Sequence, residues 1–432
     1  MTLPLRRSYF AVLLLSAAIA LPGMVSASAS TVSASDYGDL RWRLLGPFRG
    51  GWATAAAGIP GDSATFFFGG ADGGVWKTTD AGATWRPLFE RDRASSIGAL
   101  AIAPSNPRVI WIGTGQVHQR WDVVSGEGLF RSTDGGVSWQ PAGLADSRHI
   151  GKIWVDPRNA DVAVVAALGH LFGPGGERGL FRTEDGGKSW TRVLYRDADT
   201  GAVEIAGDPA HPDRLYAALW QVRRHPWMDY FQPTEGPGSS VYRSVDGGRS
   251  WTAAGSSGWP TGDLGRIALA VAPGSAGLKV WAAVSGKGLF ASNDGGATWT
   301  LVNGDGSLAN SYMANLAVDP RDPAILWAMG RGLRKSTDGG KTFTIAKGAP
   351  GGDDYHILWI DPTDSRRMIT GADQGAVVTL NGGASWSSWY NQPTGQFYRL
   401  AADKRFPYWI YSGQQDSGTV AIASRSDYGQ LT

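Results

Sequence analysis

Residues 131–139 read Arg-Ser-Thr-Asp-Gly-Gly-Val-Ser-Trp, and this pattern recurs along the chain. The shared form is Ser/Thr-x-Asp-x-Gly-x-Ser/Thr-Trp, with Phe for Trp in one copy and Asn for Asp in the last. The other copies span residues 77–85, 182–190, 243–251, 291–299, 335–343 and 379–386. Copies that return every 43 to 61 residues indicate a repeat protein.

Each copy, called a box below, has the composition of a tight turn. An Asp at the start of a turn accepts hydrogen bonds from backbone N–H groups that follow it, and Gly takes positive φ at little steric cost. The Trp then buries a large apolar surface at the start of the next strand. We therefore predict a structural role for the box acids and amide, which are Asp80, Asp134, Asp185, Asp246, Asp294, Asp338 and Asn381.

The segments between boxes have the pattern of short strands. A strand that ends in Asp-Pro or a variant opens each unit, as in residues 153–157 and 317–320. A second strand follows, a third leads into the box, and a fourth starts at the box Trp. Four strands in about 40 to 50 residues is typical of a propeller blade. The sequence predicts an all-β fold, a β-propeller of seven to eight four-stranded blades with Asp-box turns.

An eighth unit begins at Gln396 and has three strands but no box before the chain stops at Thr432. Residues 42–45 resemble the strand that follows a box, yet no box precedes them. Pairing this segment with the eighth unit would close a ring and remove exposed strand edges. The alternative is that the chain is the front part of a longer protein with a further C-terminal propeller region.

Composition excludes several classes of function. The 432 residues carry 61 Gly and 20 Trp, only 18% are charged, and the net charge is +2. Arg6 and Arg7 account for that excess, so the rest of the chain has no electrostatic footprint for a nucleic acid. With no cysteine, disulfides and thiolate metal sites are excluded, and we expect neither a cofactor nor a bound metal.

The N-terminus has the pattern of a signal peptide. Arg6 and Arg7 precede a run of thirteen apolar residues, and Ala27-Ser28-Ala29 offers a cleavage site. The run is too short to cross a bilayer comfortably, so we expect no stable membrane insertion. The predicted organisation is a signal peptide over 1–29, a linker over 30–40 and a propeller over 41–432, exported to the periplasm or the exterior.

The ordered motifs resemble a known group of proteins. They stand at residues 41–51, 74–80, 148–153, 263–267, 356–362 and 395–398. With the boxes, they are similar to bacterial exported propellers of the sortilin N-terminal-like, neuraminidase-repeat family, and more distantly to xyloglucanases. Members of that family are usually much longer than this chain. The resemblance implies a propeller over 41–432, and its xyloglucanase branch implies a catalytic carboxylate near Asp72.

The candidate site lies on the face away from the boxes. Loops that join strands 2 and 3, and loops that join successive blades, share this face. Three of the former are long, at residues 116–127, 170–178 and 221–240, and carry aromatic, Arg and His residues suited to a sugar or peptide. The candidate ligand-binding residues are His118, Trp121, His149, His170, Arg224, His225, Trp227, Asp353, Asp354, His356 and Tyr398.

Three acids form a separate hypothesis. Asp72, Asp373 and Asp416 occupy the same short turn between strands 2 and 3, in units 1, 7 and 8. If those units were neighbours in a ring, the acids would line one groove as ligands or as weak catalytic candidates. Turn chemistry alone also favours Asp beside Gly.

These observations favour an exported binding platform for a glycan or a polypeptide that is not catalytic by itself. The alternative is a xyloglucanase-like glycoside hydrolase, or its N-terminal half, since such hydrolysis needs two carboxylates across the scissile bond. A third class is a purely structural assembly module.

Overall fold

The computed structural model describes residues 33–38, 43–89, 95–120, 122–224 and 234–425. Contacts between Cα atoms divide the chain into two units, residues 1–44 and 45–432. In the first unit a 3-10 helix spans Ala34–Tyr37 and begins after Ser33, whose hydroxyl accepts a hydrogen bond from the Ser35 amide. The predicted signal peptide lies outside the described residues, so its cleavage stays a prediction.

The second unit consists of strands and two short 3-10 helices, Ala145–Ser147 and Gly306–Leu308. The first three blades contain β1 Ala53–Gly58, β2 Phe66–Gly70, β3 Val75–Thr78, β4 Arg86–Pro87, β5 Ile97–Ile102, β6 Ile110–Thr114, β7 Leu129–Ser132, β8 Gln140–Pro141, β9 Ile150–Val155, β10 Ala163–Ala167, β11 Gly179–Thr183 and β12 Thr191–Leu194. The fourth to sixth contain β13 Thr200–Gly207, β14 Leu215–Gln221, β15 Ser240–Ser244, β16 Thr252–Ala253, β17 Ile267–Val271, β18 Val280–Val284, β19 Gly288–Ser292, β20 Thr300–Asn303, β21 Asn315–Val318, β22 Leu326–Met329, β23 Leu333–Ser336 and β24 Thr344–Lys347. The last two sheets contain β25 Tyr355–Ile360, β26 Met368–Ala372, β27 Gly375–Thr379, β28 Phe397–Ala402, β29 Trp409–Gln414 and β30 Gly418–Ala423.

Every sheet is an antiparallel meander in chain order, and there are eight of them among the described residues. The first six have four strands, and the last two have three. The predicted all-β propeller fold is confirmed. In such a meander the turns between strands 1 and 2 and between strands 3 and 4 share one face, the back. The turns between strands 2 and 3 and the links between blades share the other face, the front.

Seven blades form the ring, and each interface between neighbouring blades holds its own hydrophobic cluster. One cluster joins the first two blades through Phe89, Ile97 and Phe130, for example. The cluster that contains Phe66, Trp76 and Ile369 joins the first blade to the seventh. Accordingly β1 packs against both β5 and β25. The ring closes between blades one and seven, by burial of apolar surface.

This closure corrects the expectation that the eighth unit would complete the ring with residues 42–45. Residues 43–45 form no strand, and Trp42 lies outside the described residues. Instead, the segment before β1 crosses to the seventh blade, where the Gly50 amide donates to the Trp389 carbonyl at 2.8 Å. A Cβ at Gly50 would lie 2.1 Å from the Gln374 carbonyl oxygen, so this close approach requires glycine.

The boxes adopt the predicted turn. In the fourth blade, Asp246 Oδ1 accepts hydrogen bonds from the amides of Arg249 and Ser250, both at 3.0 Å. Its Oδ2 accepts from the Ser250 hydroxyl at 2.5 Å, and Ser244 closes the turn by donating to Oδ1 at 2.7 Å. The fourth strand starts one residue after the Trp, which packs into the interface with the preceding blade in the case of Trp139.

The eighth sheet, β28–β30, lies outside the ring. Its first strand is exposed along almost its whole length, whereas β1 is fully buried. Leu400 is 71% exposed. No hydrophobic cluster among the described residues includes a residue of these three strands. In the part of the chain that the structure describes, no helix has the length and hydropathy needed to span a membrane.

Candidate functional site

A group of rings covers the front end of the propeller axis. The indole of Trp52 contacts His118, Tyr312 and His356, with ring centroids 5.4, 5.5 and 5.2 Å away. The two imidazoles lie 4.6 Å apart in a T-shaped arrangement. Three blades and the segment before β1 supply these four side chains, so the completed ring alone assembles them.

His356 owes its direction to an irregularity in its strand. The register of β25 against β26 shifts between Tyr355 and Ile357, which makes His356 the extra residue of a β-bulge. Bulges commonly turn a side chain toward a site in this way. The imidazole is fully buried, and burial lowers the pKa of His356 to about 3, so the ring is neutral.

The Nε2 atom of His356 faces Asp373. Asp373 Oδ1 lies 2.6 Å from it, and the Trp52 indole N–H also donates to the same nitrogen. Burial raises the pKa of Asp373 to about 7. The contact therefore joins a buried imidazole to a buried carboxyl, and burial disfavours the charged form of both groups.

Asp416 extends this pair to the surface. Desolvation, and then the interaction with the Asp373 carboxyl, raise the pKa of Asp416 to about 6. Desolvation and the electrostatic effect of Asp373 raise the pKa of Asp354 to about 6 as well. Neighbouring carboxyls do not all ionise easily, so their pKa values lie above the usual range of Asp. Such perturbed groups are frequent at functional sites.

A cleft of about 350 Å³ opens beside Asp416, between the seventh blade, the segment before β1 and the eighth sheet. Its walls include Arg49, Asp353, Trp389 and Tyr390. The Arg49 guanidinium lies 5.6 Å from the centre of the Tyr390 ring, which is 64% exposed. The cleft therefore offers two carboxylates, a cation and aromatic surface to one ligand.

Gln374 fixes the two acids of the cleft relative to each other. Its side-chain amide donates to Asp353 and, at 3.2 Å, to the Asp416 carbonyl, and its Oε1 accepts from the Asp353 amide at 3.0 Å. Asp354 and Asp416 have φ angles of 49° and 54°. Asp tolerates this left-handed conformation better than most residues do. Turn geometry and one buried amide thus position the carboxylates.

Arg120 supplies positive charge behind the rings. Its guanidinium lies 4.4 Å from the centre of the Trp52 ring and pairs with Asp122. Burial above all, and then the electrostatic effect of the neighbouring His356, Arg266 and Arg120, hold the pKa of His118 well below its usual range. His118 is therefore neutral and belongs to the packed layer under the site.

Other predicted residues have different surroundings. His149 is buried, and its Nδ1 donates to the Gln116 carbonyl at 2.8 Å, which anchors the long loop of the second blade. Arg224 is also buried. His170 is exposed at the edge of the third blade. Tyr398 is 67% exposed on the eighth sheet, where its hydroxyl donates to Gln415 at 2.6 Å.

The structure brings together only two of the three acids in the three-acid hypothesis. Asp373 and Asp416 are in contact, whereas Asp72 is exposed, accepts a hydrogen bond from the Ser95 hydroxyl, and does not line the cleft. Asp416 reaches Asp373 because the turn that carries it lies against the seventh blade, where the Gln374 side chain donates to the Asp416 carbonyl at 3.2 Å. Trp121, His225 and Trp227 lie outside the described residues, so their part in a site stays a prediction.

Several residues of the cleft and its support were not predicted. Trp52 and Tyr312 come from segments with no motif, and Trp52 meets His356 across 304 positions of sequence. Trp389 and Tyr390 follow the last box. Two adjacent aromatic residues just after a repeat could have indicated a binding surface. Within the described residues, no group of three or more His, Asp or Glu side chains is arranged to hold a metal ion.

No family model matches the chain. A xyloglucanase from Paenibacillus sp is 27% identical over 286 residues, which are 59% of this chain and 26% of that protein. A xyloglucanase from Acetivibrio thermocellus is 26% identical over 202 residues, 42% of this chain and 23% of that one. The chain thus spans about a quarter of the length of the curated relatives it matches.

The comparison with solved structures also finds similarity to xyloglucanases. A GH74 xyloglucanase from Xanthomonas campestris matches with a TM-score of 0.63 at 18% identity, over 86% of this chain and 59% of that one. A GH74 enzyme from Niastella koreensis matches with a TM-score of 0.64 at 15% identity, over 90% and 61%. At these identities the structures establish the fold. Together with the sequence similarity, they make this chain a distant, xyloglucanase-like propeller, and they favour the hydrolase alternative over the non-catalytic platform.

Proposed function

We propose that this chain is the propeller of an exported glycoside hydrolase that acts on a xyloglucan-type β-glucan. The polysaccharide would bind in the cleft between the seventh blade, the segment before β1 and the eighth sheet. The observation that carries this proposal is the position of Asp416 and Asp353 in one cleft, with Asp373 behind Asp416 and with the pKa of both Asp373 and Asp416 raised. The finer resemblance to sortilin N-terminal-like propellers, based on the ordered motifs, is part of the same proposal.

Glycoside hydrolysis needs a proton donor and a second carboxylate beside the scissile bond. Asp416 has the environment of the donor, since its pKa is raised to about 6, well above the usual range of Asp. Asp353 is the second acid of the cleft and lies on the other side of the Gln374 amide. Asp373 does not line the cleft; in this proposal it is a positioning residue that keeps the proton on Asp416.

The remaining wall suits a sugar. Tyr390 and Trp389 can stack on a pyranose ring, and Arg49 can donate to its hydroxyls. The Arg49 guanidinium also donates to the Ser417 carbonyl, which ties the cation to the turn that carries Asp416. The cation of the cleft is therefore hydrogen-bonded to the turn that carries its acid.

The test is the release of reducing ends from xyloglucan by residues 30–432 between pH 5 and 7. Asp416→Asn should lower kcat by about 10²- to 10⁴-fold, the contribution of a general acid, while the melting temperature changes little. Asp353→Asn should lower it comparably, and Asp72→Asn should keep most of the activity because Asp72 lies outside the cleft.

The matched control is Asp263→Asn, which makes the same change at an exposed front-face residue. Full activity in Asp416→Asn, with the control unaffected, would disprove the assignment. An inactive wild-type protein that still binds xyloglucan in affinity electrophoresis would reject hydrolysis by this chain alone.

A second candidate function has its own support. The acid that interacts directly with Asp416 is Asp373, which does not line the cleft, whereas hydrolysis needs two carboxyls roughly 5 to 9.5 Å apart on opposite sides of the scissile bond. We propose as this second candidate a glycan-binding propeller that needs a partner region for catalysis. This candidate predicts that the protein binds xyloglucan through Trp389 and Tyr390 but releases no reducing ends from it.

A further inference from the structure

A channel of about 490 Å³ runs along the axis of the ring and is separate from the cleft. The first strands of all seven blades line it, and their many Ala and Gly residues keep it open. At the back mouth stand seven prolines, one from each blade: Pro60, Pro104, Pro157, Pro209, Pro273, Pro320 and Pro362. Each of them is at least partly exposed, so the channel opens to solvent on the back face.

The lining is polar at the front and apolar at the back. His118, Arg266 and His356 line the front end, next to the rings that cover the axis. Trp154 and Trp359 line the back half with the prolines. A cavity of this size and mainly apolar character, with few polar groups at one end, has the form of a small-molecule site.

Arg266 is a buried cation in this lining whose charge has no obvious partner. It is 6% exposed, and its Nη1 donates to the Tyr312 carbonyl at 3.1 Å. No carboxylate among the described residues lies within ion-pair distance of it. The carboxylate whose charge acts on it is Glu204, and Glu204 already pairs with Lys152 at 3.0 Å. A buried cation without an anion is costly.

The charges of the channel wall therefore leave one positive charge uncompensated. Lys152 and Glu204 neutralise each other, and the two histidines are neutral because burial lowers the pKa of both. Arg266 remains. An anion at the front end would give it the partner that the protein does not supply, and a guanidinium matches a planar carboxylate best.

We propose that the channel binds a small amphiphilic carboxylate, with its carboxylate on Arg266 and its apolar chain toward the proline-lined back mouth. The ligand class is a medium-chain aliphatic acid. This site goes beyond the proposed glycan function and shares no residue with the cleft.

Isothermal titration of residues 30–432 with octanoate tests the proposal, with 1-octanol as the uncharged ligand of equal chain length. We expect saturable 1:1 binding of octanoate and at least tenfold weaker binding of octanol. Arg266→Met should weaken octanoate binding by tenfold or more, since charge-assisted hydrogen bonds are lost. Arg399→Met, at an exposed arginine of the eighth sheet, should leave it unchanged.

A variant with the opposite sign covers the case in which Arg266→Met does not fold. Glu204→Gln removes the one negative charge near Arg266, so octanoate should bind about three- to tenfold more tightly. Absence of octanoate binding by the wild type would overturn the proposal. So would equal binding of octanoate and octanol, or weaker binding by Glu204→Gln.

Discussion

His356 lies between the Trp52 indole and the Asp373 carboxyl, and both contact its Nε2 atom. Burial lowers the pKa of the imidazole to about 3 and raises the pKa of the Asp373 carboxyl to about 7. The site therefore disfavours a charge on either group.

This arrangement predicts a pH dependence of stability. The pKa of Asp373 rises from 3.8 to about 7 on folding. Its contribution to the free energy of unfolding is fully present below about pH 4 and is lost as the pH rises through 7. Asp373→Asn stays neutral, so the variant should melt about 2 to 6 °C above the wild type at pH 8 and near it at pH 4.

Melting curves of both proteins between pH 4 and 8 give the measurement, with Asp263→Asn as the control. A constant difference across this range would show that Asp373 is already ionised in the folded protein.

The box acids allow a comparison that the chain itself provides. In the seventh box Asn381 replaces Asp, and its Oδ1 accepts from the Ser385 amide at 2.9 Å while its Nδ2 donates to the Ser385 hydroxyl at 2.8 Å. We expect Asp246→Asn to cost little, and Asp246→Ala to lower the melting temperature by several degrees because four hydrogen bonds disappear. Equal melting temperatures of the two variants would refute the structural role.

Sequence alone could identify residues of the site that belong to repeats, but not those that meet across the ring. Asp373 and Asp416 stand at equivalent turns, so the repeat pattern singled them out. Trp52 and Tyr312 have no repeat equivalent in this role, and only the closed ring brings them to His356. The sequence did not predict the burial of His118 and His149 either, because both lie in loops that we expected to be exposed.

At the scale of elements, the repeats predicted the strands of the blades but not the structure at the two ends of the ring. Trp386 is followed by no fourth strand. The chain after it turns to the first blade instead, where the Asn391 side chain donates to the Gly82 carbonyl at 2.6 Å. The seventh blade lacks an outer strand because the residues after Trp386 join the two ends of the ring.

The eighth sheet should be dispensable for folding. Deletion of residues 396–432 removes strands that add nothing to the seven hydrophobic clusters, so we expect a cooperative melt within a few degrees of the full chain. The deletion also removes Asp416, and hydrolysis should disappear. Circular dichroism melts and the xyloglucan assay measure the two effects. A chain that no longer folds would show that the eighth sheet holds the ring shut.

At the scale of the whole molecule, the seven interfaces are alike in packing but unlike in connection. Six lie between blades that follow each other in the chain, whereas blades one and seven do not, and the segments before β1 and after Trp386 link them. There the Thr394 carbonyl would lie 2.0 Å from a Cβ at Gly51, and the Gly51 amide donates to the Thr394 hydroxyl at 3.0 Å.

The non-covalent closure has a kinetic consequence. Unfolding that starts at this interface would separate Arg49 from Trp389 and Tyr390, and the cleft would cease to exist before any blade had lost its strands. A bound oligosaccharide would cross-link the two ends of the ring and slow that first opening step. If the proposed glycan binds there, it would thus govern the lifetime of the folded protein as well as occupy the cleft.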